Sequence, residues 1–444
     1  MQYQVPQNID PNKLFIVNFS ELEGRLDPSV YKPHFKFVSK RYNNVKLPEI
    51  AWIDPLCIFE NCDEVSFIPM DAIDSDNGIV SYKGTKKIEE TKGFTRFKEG
   101  DILWAKITPC MQNAKSAIAK NLLNGYGCGS TEFYVIRSKD VKVVNQDYLL
   151  LLLRNEKILK AAMNYFGGSA GQQRVSSLFL KTFDVPIPDI EEQNHLCELV
   201  RNAQKIKLQK EQEATDLLNS IDDYLLSELG IDRVIDTRRE NGRFFYTSFH
   251  NLIGSEWAPL CIKNNGKRSK STLYKEVKLS TITTIAKGQA ITSKEIVNGN
   301  YPVIAGGQSS PYSHNQYNYK GNIVTISASG AYSGYVWYHN YPIFASDCSV
   351  IFSNDENVYL TKYIYDILRL RQQEIYLLQK GAGQPHVYPS DIANLTIPAI
   401  PLEKQQDIVA YCQELRNKAE LLQKEGRDII SAAKDAIEQM IIGN

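Results

Sequence analysis

A chain of 444 residues, 43% hydrophobic and 23% charged, is long enough for two or three folded domains. Its 51 Lys and Arg balance its 51 Asp and Glu, so any nucleic-acid surface must be a local patch and not a global excess. The eight cysteines form no Cys-x-x-Cys pair, which argues against a local zinc site. With no secretory pattern at Met1 and no apolar run near the ~20 residues of a membrane span, a cytoplasmic protein without membrane contact is expected.

In chain order, an opening segment carries Phe15, Phe19 and Leu22. Short apolar runs at 65–70, 101–107 and 131–136 predict strands. Gly125-Tyr126-Gly127-Cys128-Gly129 lacks the helix that follows a dinucleotide loop and is read as a turn. A helix pattern spans 147–165. After it come a glycine loop, the exit Val185-Pro186-Ile187-Pro188 and a long amphipathic stretch, 191–229. The second half repeats the order. Phe245, Phe249 and Leu252 echo the opening segment, and strands are predicted at 301–304, 322–327, 334–338 and 348–352. A helix at 360–379, a glycine loop, the exit Ile397-Pro398-Ala399-Ile400-Pro401 and a second long stretch, 403–442, follow.

The repetition extends to residues. Gly171-Gln172-Gln173-Arg174-Val175 returns 212 positions later as Gly383-Gln384-Pro385-His386-Val387, and the closing Glu191-Glu192-Gln193 as Glu403-Lys404-Gln405. Upstream, Ser130-Thr131-Glu132-Phe133 resembles Ala345-Ser346-Asp347-Cys348, and Tyr148 falls on Tyr363, both at an offset of 215. The long stretches carry narrow apolar stripes among Glu, Lys, Gln and Asp. Each would be roughly 60 Å long as a helix, so the two are expected to bury their stripes on each other. The expected fold is therefore α+β: two globular β-rich domains in pseudo-twofold arrangement, joined by two long antiparallel helices of coiled-coil character. The boundaries are 1–188, 189–231, 232–400 and 401–444.

Catalytic signatures are absent together. The sequence has no P-loop, no nucleophile elbow, no Asn/Asp-Pro-Pro-Tyr/Phe tetrapeptide and no nuclease constellation. A non-catalytic chain is expected, with no metal site of its own. The candidates for binding are glycine loops and polar or basic turns. Glycines let main-chain N–H groups approach a phosphate, and Gln and Arg can fork onto base edges. In the first half these are Lys83, Lys86, Lys92, Arg96, Lys106, Gln112, Asn113, Lys115, Ser169, Gln172, Gln173 and Arg174. In the second they are Lys267, Arg268, Lys287, Gln289, Gln308, Ser309, Tyr312, Ser329, Tyr332, Gln384 and His386. The same segments also fit plain solvated faces, hairpin turns and a helix cap leading into a strand.

Several stretches resemble the specificity subunit of type I restriction–modification systems. They are Phe67-Ile68-Pro69-Met70-Asp71-Ala72-Ile73, residues 98–111, Gly129-Ser130-Thr131-Glu132-Phe133, residues 168–175 and the Pro/Glu/Gln exits. The second half resembles a different branch through residues 299–307. The resemblance implies two target recognition domains, each reading one part of a bipartite, asymmetric site in double-stranded DNA. It also implies that the long helices set the unread spacer and dock two modification (methyltransferase) subunits, with restriction/translocase subunits added to the complex. S-adenosylmethionine, ATP and Mg would belong to those partners, and this chain would bind no cofactor. Two other readings stand beside it: a recognition subunit whose partner fuses methylase and nuclease, and a coiled-coil adaptor that binds no DNA.

Overall fold

The computed structural model describes residues 9–10, 13–17, 19, 28, 37–168, 172–232, 269–381 and 383–443. The candidates Ser169, Lys267 and Arg268 lie outside them, as do Leu22 and the second opening segment with Phe245, Phe249 and Leu252. The chain forms two compact units. One comprises residues 1–210 with 424–444, the other residues 211–423.

The first unit begins with β1 (Asn43–Lys46), α1 (Leu47–Ile50), β2 (Ala51–Ile53), β3 (Glu64–Ile68), β4 (Ile73–Asp74), β5 (Ile79–Val80) and β6 (Gly84–Lys87). It continues through β7 (Thr95–Lys98), β8 (Ile102–Ala105), β9 (Ser116–Ile118), β10 (Tyr126–Gly129) and β11 (Phe133–Ser138). Then come α2 (Gln146–Leu153), α3 (Glu156–Met163), β12 (Phe166–Gly167), β13 (Arg174–Val175), α4 (Ser177–Thr182) and β14 (Asp184–Ile187). The long α5 (Ile190–Leu229) leads out of this unit.

Two four-stranded sheets, ordered β6-β3-β10-β7 and β2-β11-β8-β9, face each other. Alternation along the strands sorts their side chains. Ile68, Phe97, Leu103, Phe133 and Val135 fill the space between the sheets. Ile102, Trp104, Ile118 and Ile136 point the other way, onto α2, α3, α4 and the start of α5. The central strand β8 is thus buried on both faces, and Trp104 donates to the Leu153 carbonyl at 3.1 Å.

The second unit repeats this plan with β15 (Glu276–Lys278), α6 (Leu279–Ile282), β16 (Thr283–Lys287), β17 (Tyr301–Ile304), β18 (Ser313–His314) and β19 (Ile323–Ser327). It continues with β20 (Val336–His339), β21 (Phe344–Ala345), β22 (Cys348–Ser353), α7 (Thr361–Leu370) and α8 (Gln372–Tyr376). It closes with α9 (Pro389–Ala393), β23 (Thr396–Pro398) and the long α10 (Leu402–Ile442). The sheet β16-β22-β19-β20 has the strand order of β2-β11-β8-β9, and β18-β17-β21 matches β6-β3-β10, down to the single parallel pair in each. The β1–β14 pair recurs as β15–β23.

The closing glutamine of the repeated motif acts as a buried lock. Gln193 donates from Nε2 to the carbonyls of Val143 and Pro188, both at 2.9 Å, and accepts the N–H of Asn145 at 2.8 Å. Gln405 does the same with Val358, Ile400 and Leu360 at 2.9, 3.0 and 2.9 Å. Tyr148 and Tyr363 each donate to a proline carbonyl of the exit strand, Pro186 and Pro398, at 2.8 Å.

Within each unit the long helices run side by side and antiparallel. In the first, Leu196 and Cys197 share a core with Ile437 and Ile441, and Lys210 pairs with Glu425 at 2.5 Å. In the second, Tyr224 and Tyr411 meet at 4.3 Å between ring centroids, and Glu228 pairs with Lys404 at 3.1 Å. Helix α5 ends where Gly230 turns left-handed (φ 58°) and Ile231 N–H closes on the Leu226 carbonyl.

Three sequence-based expectations are corrected. The helix expected at 360–379 is two, α7 and α8, broken at Arg371. Residues 126–129 form strand β10 in the middle of a sheet, not a turn, and only the preceding residues 123–125 turn. Its glycines serve packing, because a Cβ on Gly127 would strike the Phe97 ring and one on Gly129 the Ile68 carbonyl. The helix expected at 147–165 is two helices. It breaks at Arg154, and the Asn155 side chain caps α3 by accepting from Lys157 N and Ile158 N.

Candidate nucleic-acid interface

In the first unit six of the candidate residues, Lys106, Gln112, Asn113, Gln172, Gln173 and Arg174, gather at one corner, where β8 ends, β11 begins and β12 pairs with β13. Lys106 N–H bonds the Glu132 carbonyl at 2.9 Å, Val175 N–H the Lys106 carbonyl at 2.8 Å, and Thr108 N–H the Gln173 carbonyl at 2.9 Å. Arg174 does not project freely. Its guanidinium grips Glu132, with Nη2 at 2.7 Å and Nε at 2.9 Å from the carboxylate oxygens, which holds its pKa above the usual value. Lys106 lies 5.0 Å from the Tyr134 ring centroid, and the Tyr134 hydroxyl donates to Val175 O at 2.9 Å. Burial, then the charges of Asp54 and Glu132, push the Tyr134 phenol up to about 12. Gln112, Asn113 and Gln172 are exposed around this corner, and Gln173 is half-buried. Gly168, which follows β12, has φ 106°, and Gly381 has the same φ in the second unit, a conformation that favours glycine.

The other basic candidates of this half lie elsewhere. Lys86 and Arg96 sit on the outer face of the sheet β6-β3-β10-β7. Lys86 lies 4.9 Å from the Phe67 ring centroid and Arg96 4.7 Å from that of Phe59. Lys92 is exposed before β7. Lys115 is tied to the Met70 carbonyl at 3.1 Å, and Lys83 to the carbonyls of Lys120 and Asn121, both at 2.9 Å.

The second unit builds the same corner from different side chains. Val387 N–H reaches Ala328 O at 3.0 Å, Gly330 N–H reaches Pro385 O at 3.1 Å, and Gln289 N–H reaches Ala345 O at 2.9 Å. Gly306 lies so close to the Ser329 carbonyl that no Cβ fits. Ser329 donates its hydroxyl to Asp347, and His386 stacks on Tyr388 at 6.1 Å. Lys287, Gln289, Gln308, Ser309, Tyr312, Tyr332 and Gln384 are exposed. Tyr312 uses its backbone carbonyl to hold Val303 N–H at 2.9 Å, so it pins the β17–β18 loop.

Sequence reasoning missed the carboxylate of each corner, Glu132 and Asp347. They occupy matched places in the repeat at the offset of 215, which was the available signal. Where the first unit sets Lys106 and an Arg174–Glu132 pair, the second sets Ala328, His386 and a Ser329–Asp347 pair. One scaffold therefore presents two different donor and acceptor sets.

The family described as the type I restriction modification DNA specificity domain matches residues 40–217 and again 272–429, one copy for each repeat. The chain belongs to this family. Among curated relatives, the specificity subunit of the type I restriction enzyme EcoAI of Escherichia coli is 34% identical over 217 residues, covering 47% of this chain and 36% of that protein. The EcoEI specificity subunit of the same organism is 38% identical over 151 residues, covering 34% and 25%. The chain thus spans about a third of the length of the curated relatives it matches. A chain solved in work on complex assembly and conformational transition of the type I R-M system shares the fold. Its TM-score is 0.53 at 16% identity, over 92% of this chain and 98% of that one.

Within this family the two matched stretches coincide with the two corners and with parts of both long helices. Among the described residues, no helix is long and apolar enough to cross a membrane, and no His, Cys, Asp or Glu group is arranged to hold a metal ion.

Proposed function

We propose that the chain is the DNA-reading, non-catalytic subunit of a cytoplasmic type I restriction–modification complex, and that each unit reads one half of a bipartite asymmetric site. The observation that carries this reading is the repeated corner with unlike side chains. A matched strand order with different donors is what two different half-sites require. Gln112, Asn113, Gln172 and Gln173 are the proposed base or phosphate contacts of the first unit, with Lys106 on the backbone. Gln289, Gln308, Ser309, Tyr332, Gln384 and His386 are those of the second. The two long helices set the spacer and dock two methyltransferase subunits, and restriction/translocase subunits join that core. S-adenosylmethionine, ATP and Mg act on those partners.

Methylome sequencing of a host carrying this gene and its neighbouring methylase gene tests the reading. The expected result is a split motif with methyl-adenine in both halves that disappears when this gene is deleted. A methylome unchanged by the deletion, with the methylase expressed, overturns it. Gln172→Ala with Gln173→Ala is expected to alter the first half-site alone, and Gln384→Ala the second alone.

A further inference from the structure

The repeated plan allows the two units to be compared position by position, and at one place they part. In the second unit, Asp366 and Lys362 on α7 meet Arg416 and Cys412 on α10, and Asp222 on α5 adds its charge beside Cys412. Arg416 donates to Asp366 at 2.6 Å. The Lys362 ammonium lies 4.1 Å and 4.6 Å from the ring centroids of Tyr338 and Tyr365. Two carboxylates and two cations answer each other there, under two tyrosine rings.

Tyr148 and Tyr363 align α2 with α7 at an offset of 215, and Gln193 and Gln405 align α5 with α10 at 212. The buried pairs Leu225/Ile437 and Leu229/Ile441 extend the 212 offset to the far ends of the long helices. At these offsets Asp366 becomes Leu151, Tyr365 becomes Leu150, Arg416 becomes Gln204, Cys412 becomes Val200 and Asp222 becomes Lys434. All five replacements line a cavity of about 810 Å³ in the first unit. The second unit's filling side chains are absent, and so are both carboxylates.

The cations remain. Eight basic and five acidic side chains face the cavity. Arg154, half-buried at its wall, is held by the carbonyls of Ser75, Ala114 and Ser116 at 2.6, 2.6 and 3.0 Å. Lys434 makes no ion pair among the described residues. Burial, then the neighbouring Arg154 and Lys207, hold its pKa below the usual value, with Asp76 and Glu156 the nearest opposing charges. Phe37, Ile118, Leu150, Leu151, Ile430 and Ile437 make the walls apolar, which strengthens any charge pairing inside. The volume falls in the range of small-ligand sites.

We propose that this cavity binds a phosphate-bearing anion, seated where the second unit places its own Asp366 and Asp222 carboxylates. The phosphate comes either from a free polyphosphate or nucleotide, or from a DNA backbone that enters the cavity mouth. Neither source depends on how the corners read bases.

The test is titration of the full chain with sodium pyrophosphate at constant ionic strength, read by calorimetry and by the melting temperature. Saturable binding that raises the melting temperature is expected. Lys434→Asp, the residue type of the other repeat, should weaken binding by at least about tenfold. Lys418→Asp, the same charge change at an exposed, ion-paired lysine of the second unit, should leave it unchanged. Leu151→Asp should also weaken binding, since it restores an internal carboxylate. Competition then separates the sources. Displacement of pyrophosphate by ATP alone assigns a free ligand, and displacement by a short non-target duplex assigns a DNA phosphate. Absence of saturable binding at about 10 mM, a range that would include even millimolar sites, overturns the proposal. So does equal loss in the Lys434 and Lys418 variants.

Discussion

Gln193 and Gln405 are fully buried, and each ties a helix N-terminus to the loop before α2 or α7 and to its own proline exit. Truncating either one strands one buried carbonyl, Pro188 or Ile400, together with a part-buried N–H and a part-buried carbonyl. Gln193→Ala should therefore destabilise the first unit by about 1–3 kcal/mol, since an unsatisfied buried group costs on the order of 1–3 kcal/mol. Hydrogen exchange should show the loss in the first unit and spare the second. Two titratable residues of the second unit act in opposite senses. Burial lowers His339 to about 4 and raises Asp366 to about 6. His339, neutral in the fold, contributes stability present above pH 6.5 that is lost as pH falls toward 4. Asp366, hard to ionise in the fold, makes the unit more stable as pH falls from 6 toward 3.8. Each effect is about 3 kcal/mol, so they should cancel between pH 6 and 4. His339→Gln should then leave a unit that gains stability across that window, and Asp366→Asn one that loses it. Urea unfolding followed at several pH values checks both signs.

At the scale of elements, strand β10 depends on its lack of side chains. Gly127→Ala would press a methyl into the fully buried Phe97 ring and should cost about 1–3 kcal/mol. Gly167→Ala, where a Cβ meets open space, should cost little, and thermal unfolding of the two variants makes the comparison. The same strand shows where the sequence misleads. Glycine signals a turn by its backbone freedom, but here it is required by a ring and a carbonyl contributed by residues distant in sequence. The long helices were legible to within a residue at each end, because a sustained stripe in a polar background has no other reading. Strands β8, β11, β19 and β22 were legible as apolar runs. The pairing of β1 with β14 was not, since its partners lie some 140 positions apart and β1 itself is polar. The glycine-loop corners announced themselves by repetition. The cavity did not, because a sequence shows which side chains are present and not which space they leave empty.

At the scale of the whole molecule, α5 and α10 each run unbroken from one unit into the other. If they set the spacer, inserting one matched helical turn in both should lengthen the tolerated gap between half-sites and leave the half-site sequences intact. Methylome sequencing of the variant reads both at once, and an unchanged gap would remove the helices from that role. The division into units also sets an order in time. The first unit is completed by residues 424–443: Lys40 N–H bonds the Ile442 carbonyl at 2.8 Å, the Ser39 hydroxyl bonds the Ile441 carbonyl, and Asn155 donates to Glu438 at 3.0 Å. The second unit is one uninterrupted stretch, 211–423. On the ribosome the head made first must wait, with part of its core uncovered, until the head made second has emerged and the last helix has passed it. A message cut short anywhere before that helix leaves the first unit without residues 424–443 and the second without 402–423, so one late stop codon leaves both units unfinished.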